Sequence, residues 1–299
     1  MSLFKSISTK LKNPTPGWFK RLKRSYLLWG LCGFIIAFVL GFALFFPLDP
    51  VARQVEQLAS ERGNLTLNIS NPGWALPLGI SAEQLNISAP ALQGETIQLG
   101  QLRVTPFWGS LLSADPGINI SGELFSGELE ATARKQGELV LKLRGASLAG
   151  QKLSPQLSLL LSGSNGNLDF TGTLPLGGNN QSQAGLTLEQ IEVSGMSALG
   201  SGKDTLSAGN LQVKIDIKGS NATIETLDLS GGDLDLNGSG SLRLGSRPQL
   251  SRLNLSLVLK PGSGLDPQLR DLLGLLAKPE ADGSIKFRLL GSLAAPQLR

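Results

Sequence analysis

Residues 118–148 read INISGELFSGELEATARKQGELVLKLRGASL, and apolar and polar residues alternate through them between short glycine-containing breaks. Alternation with a period of two gives a β-strand one apolar face and one polar face. Strand starts recur about every 10–12 residues, which is typical of an antiparallel meander. The same pattern continues at residues 157–176, 186–195, 211–245, 253–260 and 284–293. This stretch therefore predicts a mainly β fold.

Toward the N-terminus the alternation begins at residue 64, and strands are predicted at 64–71, 80–89 and 96–105. The segment after them, residues 106–114, predicts a brief helix or turn. Gly, Asn and Ser supply the positive φ angles that tight hairpins need. On that basis hairpin turns are predicted at 164–167, 219–221 and 231–232.

Two short helices are predicted beside the strands. The first spans residues 49–63, with Asp49 as N-cap and Pro50 at the first position. The second follows Asp266 and Pro267. Its apolar stripe consists of Leu269, Leu272, Leu273 and Leu276. We expect the second helix to lie across one sheet face or to close one end of the sheet.

A charge-free segment precedes the first helix. Residues 25–48 read SYLLWGLCGFIIAFVLGFALFFPL, longer than the about 20 apolar residues that a transmembrane helix needs. Residues 1–24 contain seven Lys and Arg and no acidic residue, so the positive-inside rule predicts a cytoplasmic tail. The length, the flanking charges and the lack of a small-residue cleavage site argue against a signal peptide. The linker helix 49–63 and a β-rich domain at 64–299 are then expected across the membrane.

The predicted fold class is a transmembrane helix followed by a long, curved antiparallel β-meander or sandwich with two short helices. Aromatic residues make up only 5% of the chain, so the apolar strand faces consist of Leu, Ile and Val. These faces must be covered by curling of the sheet, by a second sheet, by the helices or by something that is not protein.

Composition argues against an enzyme. Histidine is absent and Cys32 is the only cysteine, which removes the commonest general base, a Ser-His-Asp triad and a disulfide. A Ser-Lys dyad stays open in so serine-rich a chain, although no pair stands out. The sequence has neither a phosphate-binding glycine loop nor the basic stripe of nucleic-acid binding. We therefore predict a non-enzymatic protein without a cofactor or a nucleic-acid partner.

One short segment has the spacing of a metal loop. Asp233, Asp235 and Asn237 precede Gly238 in the D-x-D-x-N-G order that opens a calcium loop. The acid expected about six residues after that glycine is replaced by Leu244, so the last ligand is missing. The three side chains also share one face of a period-two strand. They are a weak calcium candidate, and a solvated strand face is the preferred interpretation.

Four segments carry a family resemblance: FPLDPVARQVEQ (46–57), NPGWALPLGISAEQLNIS (71–88), ISGELFSGELEATA (120–133) and DGSIKFRLLGSLAAPQLR (282–299). With the basic tail and single span, they resemble the long form of type II secretion system protein N. The last two segments and the DPQLRDLLGLLAK helix are similar to AsmA-type proteins, which are membrane-anchored periplasmic β-proteins linked to lipid handling. The most recognisable positions are turn and packing residues, Pro77, Gly79, Gly122, Gly127, Gly283, Gly291 and Pro296.

The resemblance implies a periplasmic subunit of the type II secretion machinery, anchored in the bacterial inner membrane by one helix that contacts membrane lipids. It would have a structural role and contact other secretion subunits through exposed strand edges. The AsmA-type similarity implies an alternative, a lipid-binding or lipid-transfer protein of the cell envelope with phospholipid on its apolar sheet face. Neither implies catalytic residues. An open apolar groove would favour the alternative, and a closed dry core would count against it.

Overall fold

A computed structural model describes residues 48–63, 65–75, 79–88, 96–110, 113–151, 159–162, 165–176, 179–245, 250–276, 279–292 and 295–298, and isolated positions from 30 to 41. The chain divides into two units, Met1–Pro47 and Leu48–Arg299. In the first unit the described positions are helical, and the Phe34 and Phe38 rings stack with centroids 6.3 Å apart. The predicted tail, 1–24, and most of the predicted span, 25–48, lie outside the described residues. Among the described residues, no helix is both long and apolar enough to cross a membrane.

The second unit is mainly β. Its helices are α1 (Asp49–Gly63) and α2 (Pro267–Leu276), with short 3₁₀ helices at Trp108–Ser110 and Met196–Leu199. Its strands are β1 (Thr66–Ala75), β2 (Gly79–Ser88), β3 (Thr96–Pro106), β4 (Gly117–Leu124), β5 (Gly127–Arg134), β6 (Glu138–Ser147), β7 (Leu160–Ser162), β8 (Asn165–Thr173), β9 (Gln181–Ser194), β10 (Thr205–Lys218), β11 (Asn221–Ser230), β12 (Leu234–Arg243), β13 (Arg252–Pro261), β14 (Ile285–Ser292) and β15 (Ala295–Leu298).

All described strands belong to one antiparallel sheet. Their order in the sheet follows their order in the chain from β1 to β15, except that β7 lies off this path and pairs with β9. Within the described residues, extensive strand contacts join only neighbours or next neighbours in the sheet. The described strands therefore form the predicted meander, and the sandwich alternative, which needs two stacked sheets, is wrong for them.

The predicted helices and most strands are confirmed. Helix α1 has the predicted bounds, and α2 starts at Pro267, where the Asp266 carboxylate accepts a hydrogen bond from the Gln268 amide at 2.9 Å. The 3₁₀ helix at Trp108–Ser110 and the turns at 219–221 and 231–232 lie where the sequence predicts them. Strand β9 begins at Gln181, five residues before the predicted start at residue 186, because Gln181–Gly185 pairs with the end of β10.

The hairpin predicted at 164–167 is wrong. Strand β8 begins at Asn165, and Gly166 lies inside it opposite Leu188 of β9. A Cβ atom at Gly166 would lie 3.0 Å from the Leu188 side chain and 3.3 Å from the Ala146 carbonyl oxygen. Gly166 is therefore a close-packing glycine between two strands and not a turn residue.

Candidate functional site: the apolar face of the sheet

The cross-strand register places the apolar side chains of the meander on one face. Paired residues in antiparallel strands share a face, so Leu129 opposite Leu143 and Leu143 opposite Leu168 extend one row from β5 to β8. The row continues across the sheet through Leu186, Val213, Leu227, Gly238, Leu257 and Phe287. We call this surface the apolar face and the opposite one the polar face.

A backbone irregularity keeps this face apolar in the first three strands. Asn71 and Gln101 have φ angles of 49° and 47°, and register places both at the level of Glu83. The Asn71 side-chain amide donates a hydrogen bond to the Glu83 carboxylate at 2.6 Å. Across β3 and β4 the register slips by one residue at this level, which is a β-bulge.

The bulge decides which side chains face which way. Without it, Leu99 and Leu102 would point to opposite faces, since they are three residues apart. With it, Leu99 pairs with Leu124 and Val104 pairs with Ile120, and both partners lie on the same face of β4. The sequence carries a signal that our prediction missed: the apolar positions of β2 and β3 include one three-residue step among two-residue steps.

The two clusters at the centre of the apolar face consist of side chains from adjacent strands. One forms around Leu99, Leu129 and Leu143, and the other around Ile224, Leu255 and Leu257. In the described part of the chain, no helix and no second sheet contributes to either cluster. Most apolar side chains here are therefore shielded by their neighbours in the same layer.

Two isoleucines near one end of the strands are among the more exposed members of this face. Ile80 of β2 is 38% exposed and Ile118 of β4 is 43% exposed. Register connects them through Val104, which pairs with Ile80, and Ile120, which shares the face of Ile118. Aliphatic surface is thus exposed at this point, with Arg134 and Lys135 lining the same pocket as Ile118.

Only the other end of the face, at β9 and β10, has a helical cover in the described residues. There α2 buries Leu269 against Met196 of the second 3₁₀ helix, and Leu265 joins them. Val193 and Leu206, which pair across β9 and β10 on the apolar face, pack against this cluster. The late helix was expected to lie across one sheet face or to close one end of the sheet, and among the described residues it packs on the apolar face where β9 ends and β10 begins.

The polar face carries charged side chains in cross-strand pairs. Arg144 of β6 donates a hydrogen bond to the Asp169 carboxylate of β8, and the two form an ion pair. This hydrogen bond lowers the pKa of Asp169 and raises the pKa of Arg144. Both side chains are about half exposed, so water screens the pair and its stabilising effect is small.

The calcium candidate residues are separated by the start of β12. Asp233 lies in the preceding turn, where its carboxylate accepts a hydrogen bond from the Ser207 amide at 3.0 Å. Asp235 and Asn237 lie on the polar face of β12, opposite Lys260 and Val258. Among the described residues, no group of three or more Asp, Glu, His or Cys side chains is placed to hold a metal ion.

Comparisons with protein-family models, curated proteins and solved structures yield no match to this chain.

Proposed function

We propose that this protein is a membrane-anchored, periplasmic lipid-binding protein of the bacterial cell envelope, whose apolar face holds phospholipid acyl chains. The observation that supports the proposal is the long apolar face, to whose central clusters only strand side chains contribute among the described residues. The buried leucines of the central clusters are only 7–8% exposed, so the part of the face open to a ligand lies around Ile80 and Ile118, which are 38% and 43% exposed.

The dimensions suit acyl chains. Fourteen consecutively paired strands, about 4.8 Å apart, give the face a path of about 60 Å across the sheet. A strand of eight residues is about 27 Å long, whereas the acyl chains of one bilayer leaflet extend about 15 Å. The face can therefore hold several acyl chains side by side.

Its chemistry also favours lipid over a protein partner. The two central clusters contain Leu, Ile, Val and Ala with one aromatic residue, Phe287. Protein interfaces instead concentrate Trp, Tyr and Arg, and carry about one hydrogen bond per 100–200 Å². An aliphatic surface without hydrogen-bonding groups matches the methylene groups of an acyl chain, each worth about 0.8 kcal/mol when buried.

The test changes two exposed members of the face, Ile80 and Ile118. The full chain carrying Ile80→Gln and Ile118→Gln is purified in mild detergent, and its bound lipid is quantified by mass spectrometry. Since burial of such a side chain contributes about 1.5–3 kcal/mol, we expect bound phospholipid to fall about fivefold or more.

The matched control is Val258→Gln, which makes the same kind of change at a partly buried position on the polar face. Its lipid content should equal that of the unmodified chain. Lipid-free unmodified protein, or equal loss in the variant and the control, would contradict the proposal.

A role as a structural subunit of the type II secretion machinery is the second candidate. The observation that favours it is the edge of the sheet at β15, where all four residues are exposed and one side pairs with β14. Such an edge can accept a partner strand by β-augmentation. Deleting the gene should then trap secreted proteins in the periplasm, and normal secretion would rule this role out.

A further inference from the structure

A cavity of about 320 Å³ lies beside α2, between this helix, the end of β13 and the segment that leads into β14. Its lining includes Lys260, Pro261, Arg270, Gly274, Asp282 and Ile285. We call it the α2 cavity. Its volume falls at the lower end of the about 300–1,000 Å³ that is typical of small-molecule sites.

The α2 cavity combines apolar and cationic walls. Register places Pro261 opposite Leu234 and Ile285 opposite Leu259, so both belong to the apolar face. Lys260, which register places on the polar face at the end of β13, lines the same cavity, and together with Arg270 it supplies two positive charges there. A site with cations beside an aliphatic surface matches a ligand with an anionic head and an apolar tail.

The cations are available to a ligand. Among the described residues, no carboxylate lies within 4.0 Å of either cation. The Arg270 guanidinium donates one hydrogen bond to the Gly262 carbonyl oxygen at 2.8 Å, which fixes it beside the cavity. Its remaining N–H groups can donate to an oxyanion, and guanidinium geometry suits phosphate.

The carboxylate that lines the cavity, that of Asp282, already accepts hydrogen bonds from its neighbours. The Asp282 carboxylate accepts hydrogen bonds from the hydroxyl and the amide of Ser284, at 2.6 and 3.0 Å. These bonds lower the pKa of Asp282, with a smaller contribution from the charge of Lys260. Two cations and one hydrogen-bonded carboxylate leave the cavity with a net positive charge.

Gly274 keeps the cavity open. It lies one turn after Arg270 on the same side of α2, and a Cβ atom there would meet nothing within 4 Å. A glycine inside a helix costs about 1 kcal/mol relative to alanine. The open space beside this glycine is part of the volume that a ligand would occupy.

We propose that the α2 cavity binds the phosphodiester head group of a phospholipid whose acyl chains lie on the apolar face. The inference rests on the proposed lipid-binding function and adds the head group that the protein selects. Lys260 and Arg270 make charge-assisted contacts with the phosphate oxygens, and Pro261 and Ile285 contact the start of the acyl chains.

The experiment offers the full chain, in mixed micelles, equal amounts of phosphatidylglycerol and of diacylglycerol with the same acyl chains. Native mass spectrometry measures the ratio of the two bound lipids. Because charge-assisted hydrogen bonds are roughly twice as strong as neutral ones, we expect the unmodified chain to prefer phosphatidylglycerol about tenfold.

Two variants remove this preference by different means. Lys260→Gln with Arg270→Gln removes the charges, and Gly274→Leu fills the cavity while favouring the helix. Each should bring the ratio close to one with diacylglycerol still bound. The control, Lys142→Gln with Lys214→Gln, makes the same charge change on the polar face and should leave the ratio unchanged.

The contrary outcomes separate the two proposals. If both variants bind lipid and keep the preference, the head-group site is wrong and the lipid-binding function stands. If excess inorganic phosphate abolishes the preference, the cavity takes free phosphate and the lipid assignment is overturned. If the unmodified chain binds neither lipid, both proposals fall.

Discussion

Gly209 in β10 and Gly232 in the turn before β12 pack backbone against backbone. A Cβ atom at Gly209 would lie 2.6 Å from the Gly232 amide nitrogen and would also collide with the Ser230 carbonyl oxygen. Gly209 has a φ of 81°, which costs other residues about 1–2 kcal/mol. We expect Gly209→Ala to lower the free energy of unfolding by about 2–4 kcal/mol, measured by urea denaturation.

Gly185 of β9 provides the matched control for this substitution. It lies in the neighbouring strand opposite Lys214, and a Cβ atom there would meet nothing within 4 Å. Gly185→Ala should change the free energy of unfolding by less than about 1 kcal/mol. If the two substitutions destabilise the protein equally, neither the close backbone approach nor the positive φ explains why Gly209 must be a glycine.

Helix α1 lies against the free edge of β1 and satisfies part of it. The Glu56 carboxylate accepts a hydrogen bond from the Ile69 amide of β1 at 2.7 Å. An edge strand otherwise presents unpaired N–H groups that can form backbone hydrogen bonds with a strand of another chain. The helix therefore acts as a cover for this edge.

We expect Glu56→Ala to open the β1 edge. Loss of the acceptor leaves the partly buried Ile69 amide unsatisfied, at a cost of about 1–3 kcal/mol, so its hydrogen exchange should accelerate about tenfold or more. Glu61→Ala is the control, because Glu61 bonds only Gln57 on the exposed side of α1 among the contacts described. Unchanged exchange at Ile69 in the Glu56 variant would exclude the covering role.

Sequence periodicity identifies elements well and their partners less well. Alternation locates the strands, and Asp266-Pro267 locates α2 to the residue, since both signals are local. The pairing of β7 with β9 depends on contacts between distant residues, and so the hairpin at 164–167 was predicted wrongly. Strand β15, with Pro296 in its four residues, has no alternation that could predict it.

At the scale of the molecule, the sequence predicts an apolar face but not its environment. Alternation gives each strand one apolar side. Whether that side is covered depends on whether a second layer of helices or strands packs on it. The strands pair in chain order, so local alternation was sufficient to predict the site as a surface. The α2 cavity was not predictable, because Lys260, Arg270 and Asp282 are brought together by a helix between two strands.

Pairing in chain order also predicts how the sheet loses structure. A protein in which each element contacts only its neighbours behaves as a linear array, whose stability is a sum of local terms. The cluster around Leu143 draws on β2 to β8, and the cluster around Leu255 draws on β10 to β14, without a shared residue. Damage to one cluster should therefore leave the other intact.

Leu255→Ala tests this expectation. Leu255 is 7% exposed, and its truncation should cost about 2–5 kcal/mol. In native-state hydrogen exchange, amides of β10 to β14 should lose protection by that amount, whereas those of β2 to β6 should change by less than about 0.5 kcal/mol. Leu143→Ala should give the reverse pattern. Equal loss across all strands would mean that the sheet unfolds as one cooperative unit, because coupling would then extend beyond neighbouring strands.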